Sequence, residues 1–103
     1  VLPTIDMKRR RFHRGLRTER VLPLLLKEAP EFYERVEVVG KWVWLAFSEK
    51  QPPEVTAHLA ELGFHWNNRR AVWQHPCGAE AQGTAHDPHQ KYQSYFPAQI
   101  ATA

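Results

Sequence analysis

The chain has 103 residues, of which 43% are hydrophobic and 24% charged, with a formal net charge of +3. That length allows one small domain, the composition is that of an ordinary globular protein, and no apolar run approaches the ~20 residues a membrane-spanning helix needs. A single cysteine excludes an internal disulfide, so the chain reads as one of a reducing cytoplasm. The basic cluster is followed by too short an apolar stretch for a secretory leader. The chain opens on Val1 rather than methionine, as in a chain that is trimmed or has lost its first residue.

The charge is concentrated at one end. Residues 1–20 hold Lys8, Arg9, Arg10, Arg11, Arg14, Arg17 and Arg20 against Asp6 and Glu19, seven against two or +5. The remainder holds seven basic and nine acidic groups, or −2. Blocks of this kind read as arms for polyanions, or else as a solvated helix face.

The segment from Lys8 to Leu26 reads as helical. Phe12, Leu16 and Leu22 share an apolar stripe, while Arg10, Arg14 and Arg17 fall at i, i+4 and i+7 on one face. Gly15 weakens a continuous helix and Thr18 can cap a fresh start, so the segment is one kinked helix or two short ones. Ala29-Pro30 ends the run, because a residue before proline disfavours the α region, and a helical turn follows around Glu31–Glu34. From Val36 the period changes to two. Val36–Val38, a Gly40-Lys41 turn and Trp42–Phe47 predict a β-hairpin, and the apolar character of both faces of Trp42–Phe47 predicts a central strand.

Pro53 opens a second helix to about Leu62, with Val55, Leu59 and Leu62 on one face and Gly63 as its stop. Phe64-His65-Trp66, the turn Asn67-Asn68-Arg69-Arg70 and Ala71–His75 predict a second hairpin. From Pro76 the composition turns irregular. Tyr92 and Phe96 are expected to pack on the body, with fraying after Pro97. The order helix, hairpin, helix, hairpin is an α+β pattern around one small antiparallel sheet. Its parts are a basic arm over 1–20, a core over 21–76 and an irregular tail over 77–103.

The run Leu62-Gly63-Phe64-His65-Trp66, its basic turn and the return Ala71-Val72-Trp73 resemble a small module with the pattern Leu-Gly-Phe/Ala-x-Trp/Phe and a tryptophan on the return strand. A strand such as Trp42–Phe47 and a helix such as Pro53–Leu62 usually precede it. Modules of this kind occur in plasmid- and phage-borne proteins of unknown function and in some primase- or antirestriction-associated polypeptides. A related pattern occurs in the accessory domain of DNA-annealing helicases. The resemblance covers about residues 41–76. It implies a fold and a mobile-element setting, and it does not reach the basic arm or the tail.

Chemistry in the sequence is sparse. Guanidinium groups pair with phosphate oxygens, so Lys8, Arg9, Arg10, Arg11, Arg14 and Arg17 are candidate nucleic-acid contacts, joined by Arg69 and Arg70 if the second hairpin lies beside the arm. Most of the four tryptophans belong to the core. Trp66, beside the basic turn, is the one to expect at the surface, where an indole can stack on an unpaired base. His75, Cys77, His86 and His89 offer one thiolate and three imidazoles, but their spacing departs from the usual zinc motifs, and scattered histidines are the better reading. Cys77 with His75 or His86 and Asp87 lacks the surroundings of a nucleophile, and no phosphate loop, His-Glu-x-x-His or Gly-x-Ser-x-Gly occurs. No enzyme, metal or cofactor is expected. The expectation is a nucleic-acid-binding accessory protein with largely sequence-independent phosphate contacts. The alternative is a protein-interaction module, an inhibitor or adaptor docking on a nucleic-acid-processing enzyme. A third, an oligomer former, would pair through a hairpin edge.

Overall fold

The computed structural model describes residues 4–78 and 92–101. Among these, five helices and one five-stranded antiparallel sheet make the expected α+β architecture. None of the helices is long and apolar enough to cross a membrane.

Helix α1 (Met7–Arg14) starts at Asp6, whose carboxylate accepts from the backbone N–H of Lys8 and Arg9 at 3.0 and 3.1 Å. It stops at Gly15. The chain restarts as α2 (Thr18–Glu28), so of the two helical readings the pair of short helices is the one adopted. Thr18 is not the cap: Arg17 occupies that position in extended conformation, and the Thr18 hydroxyl instead donates to the Lys41 carbonyl. Ala29, held at φ −149° before Pro30, separates α2 from the short α3 (Pro30–Tyr33).

Strands β1 (Val36–Val39) and β2 (Trp42–Leu45) form the first hairpin in the register Val36↔Leu45 and Val38↔Val43. Gly40, at φ +63°, makes the turn. Helix α4 (Pro53–Glu61) follows, and then β3 (His65–Asn67) and β4 (Val72–His75). The sheet order is β3-β4-β2-β1-β5, which puts β2 in the centre as its two apolar faces require. Val36, Val38, Val43, Leu45 and His75 point to one face and are buried beneath Val21, Leu25, Phe32, Leu59 and Phe64 of the helical layer.

The C-terminal segment departs from the expected irregular tail. Ser94–Tyr95 form β5, which pairs with β1 through Val38↔Tyr95 and Val39↔Ser94. Pro97–Ala101 form α5, so Pro97 begins a helix where fraying was expected. The physical cause is the outer edge of β1, whose main-chain groups need partners; the Gly40 N–H is likewise met by the Gln93 carbonyl at 3.0 Å. Phe96 is exposed and does not pack on the body, whereas Tyr92 and Ala98 are half-buried and buried.

Candidate nucleic-acid interface

The end of α4 explains most of the basic arm. Phe64 N–H bonds to the Leu59 carbonyl at 2.9 Å and Gly63 N–H to that of Ala60 at 3.1 Å, a Schellman ending with Gly63 at φ +107°. Helix C-termini leave carbonyls without donors and carry partial negative charge. The face of α1 made by Arg10, His13 and Arg14 supplies the donors. Arg10 donates to the carbonyls of Ala60 and Phe64, the latter at 2.7 Å, and Arg14 to that of Gly63 at 2.7 Å. The buried His13 donates through Nδ1 to the Glu61 carbonyl at 2.9 Å. Burial lowers the pKa of Arg10, and burial followed by the charge of Arg10 lowers that of Arg14; both remain cations.

The shared face of Arg10, Arg14 and Arg17 is therefore split. Its first two members face protein. Arg9 is also engaged, pairing with Glu28 and, at 3.4 Å, with Glu61, and its pKa is raised chiefly by the hydrogen bond to Glu28. Lys8 and Arg11 remain exposed on the outer side of α1, beside the exposed Met7 and Phe12.

The remaining cations of the basic arm lie at the corner between α1 and α2. Arg17 is exposed there, Arg20 lies three residues on along α2, and the Thr18–Lys41 bond brings the turn of the first hairpin alongside. Arg17, Lys41 and Tyr95 line an open groove of about 810 Å³, with Glu19 as its one acidic lining residue among those described. No side chain caps the start of α2, which opens into this groove. Glycine keeps the corner tight. Gly78, at φ +74°, donates to the Arg14 carbonyl at 3.0 Å, and a Cβ on it would stand 3.0 Å from the Gly15 oxygen. None of Arg11, Arg17, Arg20 and Lys41 makes an ion pair among the described residues.

Arg69 and Trp66 are not beside this corner, whereas the Arg70 side chain folds back over Trp44 and lines a small pocket together with Lys41, Trp42 and Tyr92. Val43 faces His75 and Leu45 faces Trp73, so the turn after β3 lies at the opposite end of the sheet from Lys41, about 20 Å away along the strands. Arg69 is exposed at that turn. Arg70 is half-buried, with its guanidinium 5.6 Å from the centre of the Trp44 ring and its N–H bonded to Asn67 Oδ1 at 2.9 Å. Trp66 is 46% exposed, while Trp44 is buried and Trp42 and Trp73 are half-buried.

The Cys77 thiol is buried, and burial pushes its pKa up to about 11, so in this environment it stays protonated at neutral pH. His75 Nδ1 accepts from the Cys77 N–H at 3.0 Å, which puts the proton of the neutral ring on Nε2. That nitrogen is buried without a hydrogen bond of good geometry. Burial, reinforced by the charge of Arg14, lowers the His75 pKa to about 4, while the backbone of Leu62 and of His13 pulls the other way. Among the described residues no three His, Cys, Asp or Glu side chains are grouped to hold a metal ion. His86, Asp87 and His89, proposed from sequence as possible partners, lie outside the described residues.

Reading the sequence overlooked Lys41, because its cation joins the arm only through the fold. The one local signal was its place in a glycine turn. Comparison of the chain with protein-family models, with curated proteins and with solved structures gives no match.

Proposed function

We propose that the chain is a small nucleic-acid-binding accessory protein that holds the phosphate backbone at the α1–α2 corner, largely without reading base sequence. The observation that carries this reading is the set of exposed cations Arg17, Arg20 and Lys41 at the corner, with Arg11 on the outer side of α1, none of them ion-paired among the described residues, where Arg9, Arg10 and Arg14 are consumed internally. Cations gathered around one groove attract a polyanion and release its condensed counterions. Contacts of this kind position a protein and do not discriminate bases. A mobile-element setting rests on the resemblance of residues 41–76 alone, and a cytoplasmic one on the single cysteine.

The test is binding to labelled oligonucleotides across a salt titration. Wild type is expected to bind with log K falling linearly against log salt. Replacing Arg17, Arg20 and Lys41 together by alanine should make that slope shallower by about 2 on a single strand and by about 3 on a duplex if all three meet phosphates. An unchanged slope and affinity would remove the proposal. A second reading, docking on a nucleic-acid-processing enzyme, draws on Phe96 and Ile100, which are exposed in a segment without arginine or lysine, while the neighbouring Tyr95 lines the basic groove. It predicts that Phe96→Ala disrupts a complex with such an enzyme while oligonucleotide binding by the free chain stays absent.

A further inference from the structure

At the far end of the sheet from the basic corner, the loop after β2 and the start of α4 stand away from the β3–β4 hairpin. The groove between them is about 900 Å³, with Phe47 and Pro53 on one wall and Trp66, Ala71 and Trp73 on the other. Trp66 faces Trp73 across the strands, on the same side of the sheet as the buried Leu45, yet it stays open to solvent. The indole is nevertheless held. Its Nε1 donates to Asn68 Oδ1, and its ring lies against Trp73 with centroids 5.5 Å apart. With the polar atom satisfied inside the turn, what Trp66 offers a ligand is a fixed aromatic face. Lys50 stands in the opposite wall beside Glu49, the acidic lining residue among those described, and Arg69 is exposed in the turn three residues after Trp66.

We infer that this groove takes an unpaired base of a single-stranded nucleic acid, stacked on Trp66, with the flanking phosphates toward Lys50 and Arg69. The inference rests on the nucleic-acid reading above and adds the strand state of the ligand. Bases of a duplex are stacked on one another, so a ring seated in the groove must come from a single strand. Every base has a π-face, and the groove therefore selects strand state and not sequence. An apolar peptide would fill the rings and make no use of the Lys50 and Arg69 cations, which favours the phosphate-bearing ligand.

The experiment compares oligothymidylate, a duplex of equal length and an abasic strand of equal length by fluorescence anisotropy at one salt concentration. Trp66→Ala is expected to weaken oligothymidylate binding about ten-fold or more and to leave duplex binding unchanged, while Trp66→Phe restores most of the loss. The abasic strand should bind wild type as weakly as oligothymidylate binds Trp66→Ala. Equal binding of oligothymidylate by wild type and Trp66→Ala overturns the inference. So does abasic binding as tight as that of oligothymidylate, or no binding of any strand by wild type. If the Arg17, Arg20 and Lys41 triple variant binds like wild type while Trp66→Ala does not, the corner is wrong and the groove stands. The reverse result keeps the corner and removes the groove.

Discussion

Replacing Arg10 and Arg14 together by alanine separates a structural arginine from a ligand-binding one. The change removes the guanidinium bonds to the carbonyls of Ala60, Phe64 and Gly63. Hydrogen bonds from charged donors contribute about 1.5–3 kcal/mol each when enclosed. Both side chains are only half-buried, so about 1 kcal/mol for each bond is the appropriate figure after solvent screening. The expected loss is about 3 kcal/mol. For a domain of this size that lowers the melting temperature by about 10–20 °C. Urea denaturation followed by tryptophan fluorescence measures it directly. Lysine at both positions should recover only part, because a compact ammonium cannot span the two carbonyls that Arg10 reaches with one planar group. Oligonucleotide affinity, measured well below the new melting point, should change little. A stability loss under about 0.5 kcal/mol together with a several-fold weaker affinity would refute the assignment and return both arginines to the ligand.

Gly63→Ala should be among the most damaging single substitutions. Its Cβ would fall 2.5 Å from the buried His75 Nε2, and its φ of +107° disfavours any side chain, so a loss of about 2–5 kcal/mol is expected. A urea midpoint within error of wild type would contradict this packing. His75 makes stability depend on pH. Its folded pKa of about 4 lies below the ordinary 6.5, so the unfolded chain binds more protons between those values. The contribution, about 3 kcal/mol, is complete above pH 6.5 and is lost as pH falls toward 4. His65, lowered mainly by burial and then by the charges of Arg14 and Arg10, works in the same direction. Denaturation midpoints that stay level from pH 7.5 to about pH 4.5 would show that neither imidazole is buried neutral.

Local sequence carried much of this fold. The alternation of Val36–Val38, the two-faced apolar run Trp42–Leu45, the proline opening α4 and the glycine after it each act within a few residues, and the hairpin and α4 sit where that chemistry puts them. The exposure of Trp66 was legible as well, since an indole beside a polar basic turn has little apolar surface to cover it. The tail was not. β5 is two residues long and has no pattern of its own; it exists because β1 presents an open edge, and only the folded sheet creates that edge.

The candidate site divides along the same line. Composition and position alone establish a basic N-terminal segment on an otherwise mildly acidic chain, and helical spacing alone puts Arg10 and Arg14 on one face. What that face meets is a tertiary matter. The carbonyls that take up its guanidinium groups lie 49 to 54 residues further along the chain, at the end of a different helix. Periodicity sets which side chains point together. Only packing decides whether they point at the protein's own backbone or at solvent, and so which arginines remain free for a phosphate.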